Sequence, residues 1–163
     1  MLDIPVGTGR YVKHPLDGGH RVGGADISEE MLRVAWQRAG GHPNRLSFEV
    51  ADAAPVPHPD GRFDGGACMR LYHLVPPDVR RRMLREVKRV GRRWAILYIG
   101  MRSPWLDLRR VIRGRLIRGA ASDPFPMSMR DLRDELDAAG MRLDDACWVL
   151  RWLVDGRLVR VSW

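Results

Sequence analysis

Apolar residues recur along this chain in short runs, separated by stretches with a helical period, so strands and helices are expected to alternate. Met1 to Ile4 reads as the end of a short strand feeding the turn Pro5-Val6-Gly7-Thr8-Gly9. A short helix from Arg10 follows, limited by Pro15, which cannot donate a backbone hydrogen bond. Arg21 to Asp26 is the second strand. Ser28 suits a helix N-cap, with Glu29 and Glu30 complementing the positive first turn; Met31, Leu32, Ala35 and Ala39 share one face and Gly40 ends it. Leu46 to Val50 is the third strand. Ala54 to Asp60 is a loop, because Pro55, Pro57 and Pro59 remove three donors.

The second half continues the pattern. Phe63 to Met69 is a buried strand weakened by Gly65 and Gly66. Pro76 or Pro77 opens a helix in which Val79, Met83, Leu84, Val87 and Val90 recur at helical spacing. Arg93 to Gly100 is the clearest strand of the chain. Ser128 and Asp131 form a capping-box-like start to a helix that carries Leu132 and Leu136 and stops at Gly140. Cys147 to Val154 and Arg157 to Trp163 flank Asp155-Gly156, a dipeptide suited to a tight hairpin turn. Alternation of this kind favours an α/β fold with a mostly parallel sheet covered on both faces. Residues 101–127 interrupt it and are expected to form a lid or insertion within a single domain spanning residues 1–163.

Composition narrows the classes. With 163 residues, 45% hydrophobic and 29% charged, the chain fits one globular domain. No run approaches the roughly 20 apolar residues of a membrane span, and no secretory signal opens the sequence. Cys68 and Cys147 lie far apart without metal-like spacing, so no metal site and a cytoplasmic setting are expected. The net charge of +8 invites a nucleic-acid partner. Only Lys13 and Lys88 are lysines, however, and the arginines are dispersed throughout, so a small-molecule partner is favoured over nucleic acid.

The chemistry concentrates after the first strand. A glycine turn between strand and helix brings backbone close to a ligand at the carboxyl edge of a parallel sheet. Asp3, just before it, can bind an amine or hydroxyl but repels a pyrophosphate. Val12 replaces the third glycine of a dinucleotide fingerprint, and no Gly-Lys-Ser/Thr follows. Asp26 ends the second strand, where a carboxylate accepts from ribose hydroxyls, and Asp52 follows the third. Three carboxylates at successive strand ends converge on one edge.

Leu2 to Arg10 resembles the first motif of the class I S-adenosylmethionine-dependent methyltransferases, with Pro5 in place of its usual first glycine. Gly24 to Ser28 with Met31-Leu32 is similar to the second-strand motif, Ala51-Asp52-Ala53 to the adenine-contacting segment, and Phe63 to His73 to the fourth strand and its loop. The resemblance implies a Rossmann-like sheet of seven strands in the order 3-2-1-4-5-7-6, closed by an antiparallel hairpin. It implies S-adenosyl-L-methionine contacts at Asp3, Pro5, Gly7, Thr8, Gly9 and Arg10, at Asp26, Ile27 and Met31, at Asp52 and Ala53, and at Cys68, Met69 and Arg70. Two departures stand out. The family's N-terminal cap helices are missing from a chain that begins inside the first strand, and Gly65-Gly66 replaces β-branched residues.

Methyl transfer needs alignment of nucleophile, methyl and sulfur more than bond-making help from the protein. His73 is the candidate general base for an acceptor that must lose a proton; Tyr72 and Arg70 are candidates to border the acceptor. The Asn/Asp-Pro-Pro-aromatic tetrapeptide of adenine- and glutamine-methylating enzymes is absent, as is a Pro-Cys pair for attack on cytosine. The basic, amphipathic stretch 102–118 reads as a lid helix with arginines in water; a phosphate-bearing or lipid-like acceptor is its other reading. A small-molecule methyltransferase is therefore expected. The alternatives are a degenerate cofactor-binding module, with bare surface through which to dimerise, and an RNA-associated enzyme using residues 102–118.

Overall fold

The computed structural model describes residues 1–40, 42, 44–101, 125, 127–149 and 156–163. Seven strands form one sheet: β1 (Leu2–Asp3), β2 (Val22–Asp26), β3 (Leu46–Val50), β4 (Phe63–Cys68), β5 (Gly91–Gly100), β6 (Arg142–Val149) and β7 (Gly156–Ser162). Among the described residues, the α-helices that accompany them are α1 (Lys13–Asp17), α2 (Glu29–Ala39), α3 (Pro77–Val90) and α4 (Met129–Ala138). The order across the sheet is β3-β2-β1-β4-β5-β7-β6, as expected. The strands from β3 to β5 run parallel, and β7 pairs antiparallel to both β5 and β6.

Two apolar layers hold the sheet. Val6, Val12, Leu16, Val22, Leu32, Ala35, Ala39 and Leu46 join α1 and α2 to the β2–β3 end. The larger layer joins α3 and α4 to β1, β4, β5 and β7 through Met83, Leu84, Val87, Leu132, Leu136, Leu97, Ile99 and Val159. Alternation explains β5: Ala95, Leu97 and Ile99 are buried, whereas Trp94, Ile96 and Tyr98 on the other face are half-buried.

Helix ends follow their local chemistry. Ser28 Oγ accepts from Met31 N–H, and Gly40 closes α2 in the left-handed region, φ +69°. Ser128 and Asp131 complete a reciprocal capping box on α4. Between β3 and β4 there is no helix among the described residues. The proline-rich loop is instead pinned to α3: Val56 N–H donates to Glu86, and Arg89 donates to the carbonyls of Val56 and His58 and to Asp60. The hydrogen bond from Arg89 holds the Glu86 carboxyl below its ordinary range, more than burial raises it.

Several expectations shift. Gly65 is the cross-strand partner of Trp94, whose indole lies where a Cβ would stand, so the glycine makes room for the ring rather than weakening β4. β5 begins at Gly91, two residues before the expected Arg93. β6 begins at Arg142 rather than Cys147. Gly156 pairs with Val149 and Gly100 inside the ladder, so it belongs to β7. α1 is a five-residue helix starting at Lys13, not Arg10, with Pro15 in its first turn, where a missing N–H costs little. Asp155 and the 102–118 stretch lie outside the described residues. The flanks of the 101–127 segment meet as a parallel bridge between Met101 and Met127, both buried.

Candidate functional site

The site is built at the carboxyl ends of β1, β2 and β4, where the 3-2-1-4 order creates a crevice beside the first strand. Ile4 N–H donates to Ala67 and Val6 N–H to Ala25, so the turn after β1 is tied to both neighbouring strands. Gly7 and Gly9 adopt φ +54° and +69°. A Cβ on Gly7 would meet nothing within 4 Å, which leaves its backbone face open; a Cβ on Gly9 would come within 2.8 Å of the Ala35 backbone. Gly7 therefore leaves backbone open beside the neighbouring cavity, whereas Gly9 lets α2 pack against the turn.

Two buried carboxylates stand behind this turn, and they differ. Asp26 is 7% exposed; its Oδ2 accepts from Gly7 N–H at 2.8 Å and its Oδ1 from Ser28 N–H at 3.0 Å. Each oxygen keeps a further lone pair for a ligand hydroxyl. Asp3 is 2% exposed, and its Oδ1 has no hydrogen-bond partner. Burial, reinforced by the nearby Asp26 charge, raises the Asp3 carboxyl from 3.8 to about 7. An orphaned, disfavoured carboxylate at the end of a central strand fits a cationic or hydrogen-bond-donating ligand.

The remaining expected residues divide. Pro5, Val6, Gly7, Thr8, Arg10, Tyr11, Met69 and Arg70 line one cavity of about 250 Å³. Arg70 is the one described non-glycine residue with positive φ, at 63°. Asp52 caps its own loop, accepting from Ala54 N–H, and Ala53 is buried. Ile27 and Met31 are exposed apolar side chains on the rim, 74% and 42%, and Val50 at the end of β3 is 59% exposed. A larger cavity of about 580 Å³ lies between α2 and β3, lined by Glu29, Trp36, Phe48 and Val50 among others, and holds none of the turn residues. Cys68 is buried, and burial pushes its thiol up to about 12, which leaves it unreactive.

The loop after β4 differs most from expectation. Tyr72 to Leu74 forms a single 3-10 turn. Tyr72 is 1% exposed, with its hydroxyl donating to Glu135. His73 is also buried, packs edge-on against Tyr98 with ring centroids 5.4 Å apart, and does not line the cavity beside the turn. Arg80 is hidden from a reading of the sequence. It occupies the buried face of α3, is 5% exposed, and pairs with Glu135 of α4 at 2.8 Å. A helical period counts apolar residues, so it selects Val79 and passes over an arginine. Among the described residues no cluster of His, Cys, Asp or Glu could hold a metal ion, and no helix is long and apolar enough to cross a membrane.

Comparison with known proteins decides the family. The profile of the family described as "Methyltransferase domain" matches residues 1–93, more than half of the chain. The chain belongs to that family. A methyltransferase of Streptomyces halstedii is 32% identical over 116 residues, 69% of this chain and 42% of that protein. A demethylmenaquinone methyltransferase of Deinococcus radiodurans is 34% identical over 70 residues, 42% of this chain and 29% of that protein. The chain thus spans well under two thirds of the length of these relatives. Among solved structures, magnesium protoporphyrin IX methyltransferase from Synechocystis with bound S-adenosylhomocysteine superposes with a TM-score of 0.82 at 22% identity, covering 99% of this chain and 72% of that one. That likeness shows the methyltransferase fold.

Proposed function

We propose that this domain binds S-adenosyl-L-methionine and transfers its methyl group to a small-molecule acceptor. The observation that carries the reading is the pairing of an open glycine turn with the orphaned, buried Asp3 carboxylate directly behind it. That pairing suits a positively charged cofactor and disfavours a phosphate-bearing one. Both solved relatives and curated relatives are methyltransferases, which supports the same reading.

The roles of the residues follow from what each offers. Asp26, fixed by two backbone donors, would accept from the ribose hydroxyls. Asp52 and Ala53 would meet the adenine, with Ile27, Met31 and the exposed Val50 as apolar surface around its ring. Asp3, Pro5, Gly7, Thr8, Gly9, Arg10, Cys68, Met69 and Arg70 would enclose the methionine end. When bound, the cofactor supplies an activated methyl on a sulfonium, so the protein's work is placement and exclusion of water. His73 is the candidate base for an acceptor that must lose a proton. We read residues 1–163 as one methyltransferase domain, with residues 101–127 as a lid or insertion.

The test is methyl transfer from tritiated S-adenosylmethionine to a panel of small hydroxyl, amine, thiol and carbon acceptors. Label in at least one product supports the full reading. Cofactor binding without turnover on any of them reduces it to a binding module. Retention of a polyanion such as RNA with a steep salt dependence redirects the acceptor to nucleic acid.

A further inference from the structure

The network around Arg80 is a second buried charge site, and nothing in the methyl-transfer reading uses it. Arg80 Nη2 donates to Glu135 Oε1 at 2.8 Å, and its Nε donates to both carboxylate oxygens at 3.1 Å. Its Nη1 faces the carbonyls of Val75 at 3.5 Å and Phe125 at 3.4 Å. Tyr72 donates its hydroxyl to Glu135 Oε2, and the Arg80 guanidinium lies 5.7 Å from the centre of the Tyr72 ring. Burial first, and then the hydrogen bond to Glu135, raise the Tyr72 phenol, so it stays protonated and remains a donor. The network thus binds the turn after β4, the first turns of α3, the body of α4 and Phe125.

Closing the α3–α4 seam does not require charge. Burying two ions costs several kcal/mol each before their attraction is counted, and apolar replacements of such groups are often neutral or stabilising. What hydrogen bonds add is direction. The turn they hold begins two residues after Arg70, whose left-handed backbone costs about 1–2 kcal/mol and persists only where its surroundings fix it. Met69 and Arg70 line the cavity beside the glycine turn. We propose that Arg80, Glu135 and Tyr72 are positioning residues that set the 70–75 turn against the candidate cofactor pocket, a role that rests on reading that pocket as the S-adenosylmethionine site. They touch neither cofactor nor acceptor; they act through Arg70 and Met69.

The experiment compares wild type with the double variant Arg80→Met/Glu135→Leu and with Glu135→Gln, measuring the melting midpoint and the affinity for S-adenosylhomocysteine by calorimetry. A positioning role predicts a double variant that melts at or above the wild-type midpoint yet binds at least tenfold more weakly. A folded double variant that binds within threefold of wild type overturns the proposal. If the double variant does not fold, Glu135→Gln decides: weaker binding at an unchanged midpoint supports the proposal, and unchanged binding overturns it. If wild type itself gives no binding, the cofactor reading fails separately. Amide exchange across residues 70–75 then tests the positioning role, faster exchange in Glu135→Gln supporting it and unchanged exchange overturning it.

Discussion

Among the described residues, charge is buried at the ends of β1 and β2 and on the α3–α4 side, and it is treated in opposite ways. On the α3–α4 side, Arg80 and Glu135 neutralise each other, and nearly every donor and acceptor around them is used. At the ends of β1 and β2, Asp3 and Asp26 are two like charges near each other, and burial and mutual repulsion both push the Asp3 carboxyl up. One oxygen of Asp3 has no hydrogen bond at all. The uncompensated pair is where a ligand's charge is expected to complete the fold's electrostatics, and the compensated pair is where geometry is held.

The contrast is broken most severely at the turn. Gly9→Val forces a β-branched side chain both into a positive-φ position and against Ala35, so S-adenosylhomocysteine binding is expected to disappear from calorimetric titrations while the sheet still forms by circular dichroism. Next comes Asp3→Asn. The folded Asp3 carboxyl sits at about 7 against 3.8 unfolded, so the native state holds the extra proton between those values. Stability contributed by this group is therefore complete below about pH 4 and lost as pH rises to about 7, at about 1.4 kcal/mol per pH unit. Denaturant titrations of the ligand-free protein should show wild type losing a few kcal/mol over that range. The Asp3→Asn variant is expected to lose most of that slope and to bind the cofactor more weakly.

Smaller effects sharpen the same map. His73→Asn is expected to lower kcat by about 10²–10⁴-fold if His73 takes the acceptor's proton; a loss below threefold would leave it as a packing residue against Tyr98. Gly65→Ala places a methyl inside the Trp94 indole and is expected to cost about 1–3 kcal/mol, whereas Gly66→Ala meets only Val87 at 3.7 Å and the Leu2 carbonyl at 3.8 Å and is expected to cost under about 1 kcal/mol, both read from chemical denaturation. The exposed Lys13–Asp17 pair lies at the bottom of the scale: Asp17→Asn is expected to change stability by under about 0.5 kcal/mol.

Local rules make much of this fold legible. The caps at Ser28 and Ser128, the stop at Gly40 and the proline opening of α3 depend on residues within a turn of one another, and each forms as its chemistry dictates. The Leu2–Arg10 turn and Asp26 are legible for the same reason. What escapes depends on partners distant in sequence. Gly65 looks like a weak strand residue until Trp94 is known to lie across from it. Arg80 looks like one more surface arginine until Glu135, from another helix, meets it in the core. The Tyr72 hydroxyl's place in the core escapes for the same reason, since its partner lies 63 residues away.

Cofactor binding at this turn is tested by calorimetric titration of S-adenosylmethionine and S-adenosylhomocysteine into wild type and Asp26→Ala. Asp26 is chosen because its carboxylate already holds Gly7 and Ser28 in place and would hold the ribose as well. Saturable binding of both ligands to wild type is expected, with its loss, by at least about 100-fold, in a folded Asp26→Ala protein. Wild type that takes up neither ligand, or a variant that binds both as tightly as wild type, would contradict it.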